Sequence, residues 1–276
     1  FGYEFKANLL KLAVIPSTPE DQGMTSKKDL IRKLLKGIET GDAKAAAAVD
    51  EEKYIQHNPH TQEGSEGLAD LFKRLSKTSP RVNIVRLFED GDFIFGHTEY
   101  DFSSLKIGFE VFRFENGIAV EHWDNIQPWQ GPNPSGRSMV DGPTETTDLE
   151  LTEINRETVQ RFVDDILIER RFDRMDHYIE NAHFIQHSPQ IANGLDALRS
   201  ALTTQSDTGA TIRYDRNHRV LAEGNFVLAV SEGHLAGVHT SFYDLFRVAH
   251  GKIVEHWDTI EAIPPRSEWK NDNGKF

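Results

Sequence analysis

One tetrapeptide constrains this chain more than any other feature. Glu-His-Trp-Asp occurs at Glu121–Asp124 and again at Glu255–Asp258, an offset of 134 (256 − 122). Two further blocks repeat in the same order. "YIQHNP" at Tyr54–Pro59 returns as "FIQHSP" at Phe184–Pro189, offset 130 (187 − 57), and "EDGDFIFG" from Glu89 returns as "AEGNFVLA" from Ala222, offset 133 (222 − 89). Three blocks with nearly constant spacing indicate a tandem duplication, and a period near 130 is the size of a domain, not of a solenoid repeat. The expected organisation is an N-terminal extension (1–23), a first domain (24–130), a linker rich in Gly, Pro, Ser and Thr (131–150) and a second domain (151–276).

Each copy carries the same element order. Leu30, Ile31, Leu34, Leu35 and Ile38 recur at helical spacing over Lys28–Glu39, and Val159, Phe162, Val163, Ile166 and Leu167 do so over Glu153–Glu169. A second short helix follows. The Gln-His-Asn/Ser-Pro turn comes next, and then a helix after Gly64 or Gly194. Four strands close the first copy: Val82–Phe88, Phe93–Tyr100, Ile107–Phe114 and Ala119–Ile126. "FEDGD" and "ENG" between them supply the turn residues of antiparallel hairpins. Helices first and a meander last make an α+β domain.

Composition narrows the function. Thirty-one Lys and Arg against 44 Asp and Glu give a formal charge of −13, which disfavours binding to a phosphate backbone. No apolar run reaches the roughly 18–20 residues that span a bilayer. Neither nucleic acid nor membrane is therefore an expected partner. With no cysteine, thiolate nucleophiles, disulfides and Cys-ligated metals are excluded. The segment "NLLKLAVI" (Asn8–Ile15) reads as an extension packing on the body. A cytoplasmic location is favoured, with secretion or a periplasmic location left open because the first residue is Phe1.

Alternation along a strand places His122, Asp124 and Ile126 on one face and Glu121 and Trp123 on the other. On the preceding strand Glu110 shares a face with Phe112 and Phe114. The second copy repeats this with His256, Asp258 and Ile260, and with Asp244, Phe246 and Val248. A carboxylate among apolar neighbours is costly unless it is paired or lines a pocket, and its pKa rises, which makes it a usable acid or base near neutral pH. The candidate catalytic residues are thus Asp124, His122, Glu110 and His57, and in the second copy Asp258, His256, Asp244 and His187. Acid, base and hydrogen-bond donor are all present, so no cofactor is expected. His57, His122, Glu110 and Asp124 are ligand types a metal accepts, but no tight ligand spacing supports a metal site, and none is expected. The alternative for each residue is structural: an acid hydrogen-bonded within the sheet, a satisfied buried histidine, or a helix-entry turn capped by Asn58 or Ser188.

The helix-led order, "YIQHNP", the "DLFR" strand and the terminal "EHWD" resemble the SnoaL-like branch of the nuclear-transport-factor-two-like superfamily. Within it they are most similar to bacterial proteins described as aldol-condensation enzymes. The resemblance covers both repeats but not residues 1–23. It implies two tandem cone-shaped domains, each a curved antiparallel sheet wrapped around N-terminal helices with a pocket at one end. In the family's polyketide cyclases a last-strand aspartate is the general acid/base and a histidine lies on the previous strand. Those positions fall on Asp124 and Asp258, and on Glu110 and Asp244, where an acid replaces the histidine. The implied activity is a cofactor-independent aldol-type condensation, cyclisation or isomerisation of a small hydrophobic carbonyl compound. An epoxide-hydrolase-like activity and a non-catalytic binding protein are the alternatives. Pairing of such modules through their sheets would make the chain an intramolecular pseudo-dimer, with a further homodimer open.

Overall fold

The computed structural model describes residues 25–181, 183–206 and 209–276; the expected extension 1–23 and its apolar segment lie outside them. Domain 1 opens with α1 (Lys27–Thr40), capped by Ser26, whose hydroxyl accepts the Asp29 amide hydrogen, and closed by Gly41 at φ +66°. A short 3₁₀ turn (Ala43–Ala48) and a two-residue strand β1 (Ile55–Gln56) follow. Next come α2 (Gly64–Leu75) and the strands β2 (Arg81–Asp90), β3 (Phe93–Asp101), β4 (Leu105–Glu115) and β5 (Ile118–Pro128).

Domain 2 repeats the plan with α3 (Thr152–Phe162), α4 (Met175–Tyr178), β6 (Ile185–Gln186) and α5 (Leu195–Thr203). A small ribbon of β7 (Gln205–Ser206) and β8 (Gly209–Ala210) precedes the long strands β9 (Ile212–Glu223), β10 (Phe226–Leu235), β11 (Val238–Ala249) and β12 (Lys252–Ala262). Two differences from the sequence reading stand out. The helix expected over Glu153–Glu169 is α-helical only to Phe162 and widens into a π-turn over Val163–Ile168. The Gln-His-Asn/Ser-Pro segment opens with a strand that pairs parallel to the last one, so each five-stranded sheet is mixed, in the order β1-β5-β4-β3-β2 and β6-β12-β11-β10-β9.

One face of each sheet covers its own helices. Ile31, Leu34, Leu35 and Phe72 meet Ile94, Phe112 and Phe114 in domain 1, while Val159, Phe162 and Ile166 meet Val227, Phe242 and Phe246 in domain 2. The opposite faces meet each other. Phe95, Phe109, Val111 and Trp123 of domain 1 form one apolar cluster with Leu228, Val230, Leu245 and Trp257 of domain 2. Burial of that many large side chains at about 25 cal/mol per Å² makes it the dominant contact between the halves.

Polar contacts across this interface come in matched pairs. Lys28 on the first helix of domain 1 bonds Glu223 in a domain 2 hairpin at 2.7 Å, and Arg156 on α3 bonds Asp90 in the matching domain 1 hairpin at 2.6 Å. Glu223 accepts the Glu89 amide hydrogen, and Asp90 accepts that of Ala222. Arg86 lies 4.2 Å from the Trp257 ring centroid, and Arg219 lies 3.9 Å from that of Trp123. The two halves thus meet across an approximate twofold axis.

The segments after each sheet are exchanged. Residues 131–148, which follow domain 1, run over domain 2: Asn133 donates to the Gln186 and Ile191 carbonyls, and the Ser138 carbonyl lies 2.8 Å from His187 Nδ1. Residues 264–276, which follow domain 2, run over domain 1: Asn271 donates to the Asn58 and Thr61 carbonyls, and the Gly274 carbonyl lies 2.8 Å from His57 Nδ1. The C-terminal segment thus contacts both halves, since Phe276 also stacks on His218 of domain 2 at 4.1 Å.

Candidate functional site

Strand register builds the site. Glu110 on β4 stands opposite Asp124 on β5, and Phe112 opposite His122. On β11 and β12, Asp244 stands opposite Asp258 and Phe246 opposite His256. All six polar groups face their own domain's helices and are buried to 7% exposure or less. Each trio lines an apolar cavity, of about 370 Å³ in domain 1 and about 340 Å³ in domain 2. Leu34, Leu68 and Phe72 form walls of the first, and Phe162, Leu198 and Phe242 form walls of the second.

The histidine tautomer follows from its neighbours. Gln56 Oε1 accepts the Asn58 amide hydrogen at 2.9 Å, so that atom is the oxygen, and His122 Nδ1, 3.0 Å away, must carry a proton. The remaining ring nitrogen, Nε2, lies 2.7 Å from Glu110 Oε2. A single proton held between Nε2 and the carboxyl group closes that contact. Domain 2 copies the arrangement: Gln186 Oε1 accepts the Ser188 amide hydrogen, His256 Nδ1 donates to it at 2.9 Å, and Nε2 lies 2.9 Å from Asp244 Oδ1.

A tyrosine completes each relay. Tyr100 donates to Glu110 at 2.7 Å, and Tyr214 donates to Asp244 at 3.1 Å. These two residues do not correspond in sequence. Tyr100 is on β3 opposite Val82, whereas Tyr214 is on β9 opposite Gly233, so the ring has changed strands while reaching the same carboxylate. Burial and the adjacent acids push both phenols well above their usual pKa, which keeps them as donors.

The two last-strand aspartates differ. Asp124 accepts from Asn58 Nδ2 at 2.7 Å, and Lys275 Nζ from the C-terminal segment lies 3.7 Å from its other oxygen. Lys275 also bonds the Asp124 carbonyl at 2.8 Å and Glu261 of domain 2 at 2.6 Å. Glu261 lines the domain 1 cavity, and burial raises its pKa against the pull of Lys275. In domain 2 the exchanged segment supplies the buried Met139 next to Ser138, where the C-terminal segment supplies Lys275 next to Gly274, and Gln127 stands where the repeat has Glu261. Asp124 Oδ1 and Asp258 Oδ1 both lack a hydrogen-bond partner among the described residues, and Ser188 bonds Asp258 as Asn58 bonds Asp124, so the contrast is the lysine beside Asp124. Burial pushes the Asp258 carboxyl up from 3.8 to about 6, with His256 opposing and Asp244 adding to the rise.

Of the eight residues singled out in the sequence, the structure brings Glu110, His122 and Asp124 together, and Asp244, His256 and Asp258. His57 and His187 stand apart from both cavities. Each turns to the opposite sheet face and stacks at 4.6 Å on Trp123 or Trp257. Glu121 and Glu255 hold their Nε2 atoms at 2.9 and 2.8 Å. The reason is the short parallel strand: its alternation sends Gln56 and Gln186 toward the pocket, and the next residue away from it. The glutamines and tyrosines escaped the sequence reading. The "IQH" repeat was a signal for the glutamines, and the tyrosines, being on unmatched strands, left none.

Metal-ligand geometry is also present: one atom from each of Glu110, His122 and Asp124 lies within 4.8 Å of the others, as do those of Asp244, His256 and Asp258. His57, weighed as a ligand in the sequence, is outside that cluster.

With this geometry in view, the comparisons bear on domain 2 first. Residues 159–256 match the model of the SnoaL-like domain. The matched span includes Asp244 and His256 and stops two residues before Asp258. No curated protein matches the chain. Solved structures similar to this chain cover less than half of it. TsrD from Streptomyces laurentii is 19% identical, covering 36% of this chain and 85% of its own, with a TM-score of 0.32. An NTF2-like protein of unknown function from Cytophaga hutchinsonii is 15% identical, covering 39% and 95%, at 0.34. A protein proposed as a SnoaL-like polyketide cyclase from a Jannaschia species is 19% identical, covering 43% and 92%, at 0.32. The strand order of domain 2 recurs in domain 1. No helix among the described residues is long and apolar enough to cross a membrane.

Proposed function

We propose that the domain 2 pocket is an acid/base site that moves a proton next to a carbonyl group, in an aldol-type condensation, cyclisation or isomerisation of a small, largely apolar compound. The observation that carries this reading is Asp258: a buried carboxyl with no lysine or arginine in ion-pair contact among the described residues, lining an apolar cavity beside a histidine of fixed tautomer. A carboxyl titrating near 6 is largely ionised at neutral pH and still basic enough to accept a carbon-bound proton.

The His256–Asp244–Tyr214 relay is the complementary part. A proton held between His256 Nε2 and Asp244 is available to the developing enolate oxygen, and Tyr214 stabilises the charge left on Asp244. The same parts exist in domain 1, except that Lys275 stands 3.7 Å from Asp124. We assign domain 2 the larger share of proton transfer on this difference. The expected ligand is a small molecule, held by burial of its apolar body.

The reading is tested without knowing the natural substrate. Wild-type protein is incubated in heavy water with a panel of simple β-keto esters and β-diketones, and exchange of the α-protons is followed by NMR. Asp258→Asn is expected to lower catalysed exchange by about 10²–10⁴-fold, the usual contribution of one general base. Exchange unchanged in the Asp124→Asn/Asp258→Asn double variant overturns the assignment.

A further inference from the structure

The two cavities share their floor but not their mouth. The domain 1 cavity is lined by Arg74, in the last turn of α2, and Lys106, at the start of β4. Neither makes an ion pair or a side-chain hydrogen bond among the described residues. The repeat offsets put Thr204 and Thr240 at these two positions in domain 2, and among the described residues no lysine or arginine lines that cavity. Arg74 is exposed and Lys106 half-buried, so both charges stay hydrated until a ligand arrives.

The interior of the domain 1 cavity offers an anion nothing. Asp124 is capped by Asn58, Glu110 is satisfied by His122 and Tyr100, and Lys275 is consumed by Glu261 and the Asp124 carbonyl. An anionic group on a ligand must therefore sit at the mouth, with its apolar body among Leu34, Leu68, Phe72 and Phe112.

From this contrast we infer that the two pockets sort ligands by charge. Domain 1 takes an apolar molecule bearing a carboxylate, which Arg74 and Lys106 hold at the mouth, and domain 2 takes a neutral one. The assignment deepens the proposed function by naming a ligand class for each pocket and rests on the pockets being ligand sites. It does not require turnover. Arg74 also complements the C-terminal dipole of α2, a role Lys106 does not share.

The probes are 4-phenylbutyrate and its uncharged counterpart 4-phenylbutanamide, titrated calorimetrically into the full chain at low and high salt. The acid is expected to fill one site and the amide two. In Arg74→Gln/Lys106→Gln the affinity for the acid falls about tenfold at low salt, while the amide changes less than about twofold, in line with two partly exposed ionic contacts. Salt near 1 M removes most of that difference in the wild type. Thr204→Arg/Thr240→Lys is expected to create a second site for the acid. Equal affinity of the wild type for acid and amide overturns the inference. So does a parallel loss of both probes in the double variant, or binding of neither. If the probes discriminate but Asp124→Asn/Asp258→Asn leaves proton exchange intact, the sorting stands and the proposed catalysis falls.

Discussion

Domain 1 and domain 2 hold matching acid–histidine–aspartate trios on corresponding strands, yet their last-strand aspartates live in different electrostatic settings. Asp124 has a buried lysine beside it; Asp258 has no such cation among the described residues, and its carboxyl is pushed up to about 6. Part of the difference originates outside the duplicated strands, in the C-terminal exchanged segment, which delivers Lys275 to Asp124. A duplicated site can thus diverge without touching its reactive residues, by changing what a neighbouring segment presses against them.

The interface offers the largest way to break the symmetry. Trp257 is fully buried and Trp123 nearly so, each beneath an arginine and against a histidine. Trp257→Ala should cost about 3–5 kcal/mol in denaturant unfolding, and Trp123→Ala nearly as much. A loss confined to one of them would show that the halves are not held alike.

Lys275→Met, which gives domain 1 the residue domain 2 already has, should cost about 2–4 kcal/mol, because Glu261 is left partly buried without its cation. Lys275→Met/Glu261→Gln should recover most of that loss, since domain 2 carries the neutral pair Met139 and Gln127. Failure to recover would mean that Lys275 acts mainly on Asp124.

The smallest effects should differ in sign. A folded-state carboxyl raised from 3.8 to about 6 takes up a proton on folding between those values, so it favours the folded state in acid and loses that contribution as pH rises through about 6. Asp258→Asn removes the loss. The variant should match wild type near pH 4 and exceed it by on the order of 2–3 kcal/mol at pH 8. Asp124→Asn, which keeps an acceptor for Asn58 but takes the negative charge from beside Lys275, should instead lose about 1 kcal/mol at pH 8. Urea titrations at the two pH values separate these outcomes, and destabilisation of both variants would refute the contrast.

The duplication, element order and strand faces were legible because repeats and alternation are one-dimensional signals. Glu110, His122 and Asp124 could be grouped on those grounds alone, and so could their copies. What resisted reading depends on pairing between distant segments. The parallel strand at Ile55–Gln56 is two residues long, too short to alternate visibly, and it decides that Gln56 and not His57 enters the pocket. The Tyr100 and Tyr214 hydroxyls come from unmatched strands, so the repeat that revealed the acids hid their donors. Nothing local to Lys275 announces that it neutralises Glu261 beside a site formed 150 residues earlier in the chain.

The exchanged segments also set an order of completion during synthesis. Domain 1 has all of its strands once Pro128 is made, but Glu261 and Lys275, which finish its pocket, come 133 and 147 residues later. At ordinary elongation rates that interval is on the order of ten seconds. The first domain to be made is therefore the last to be finished, and its sheet face and acid cluster wait half-assembled for the domain that follows.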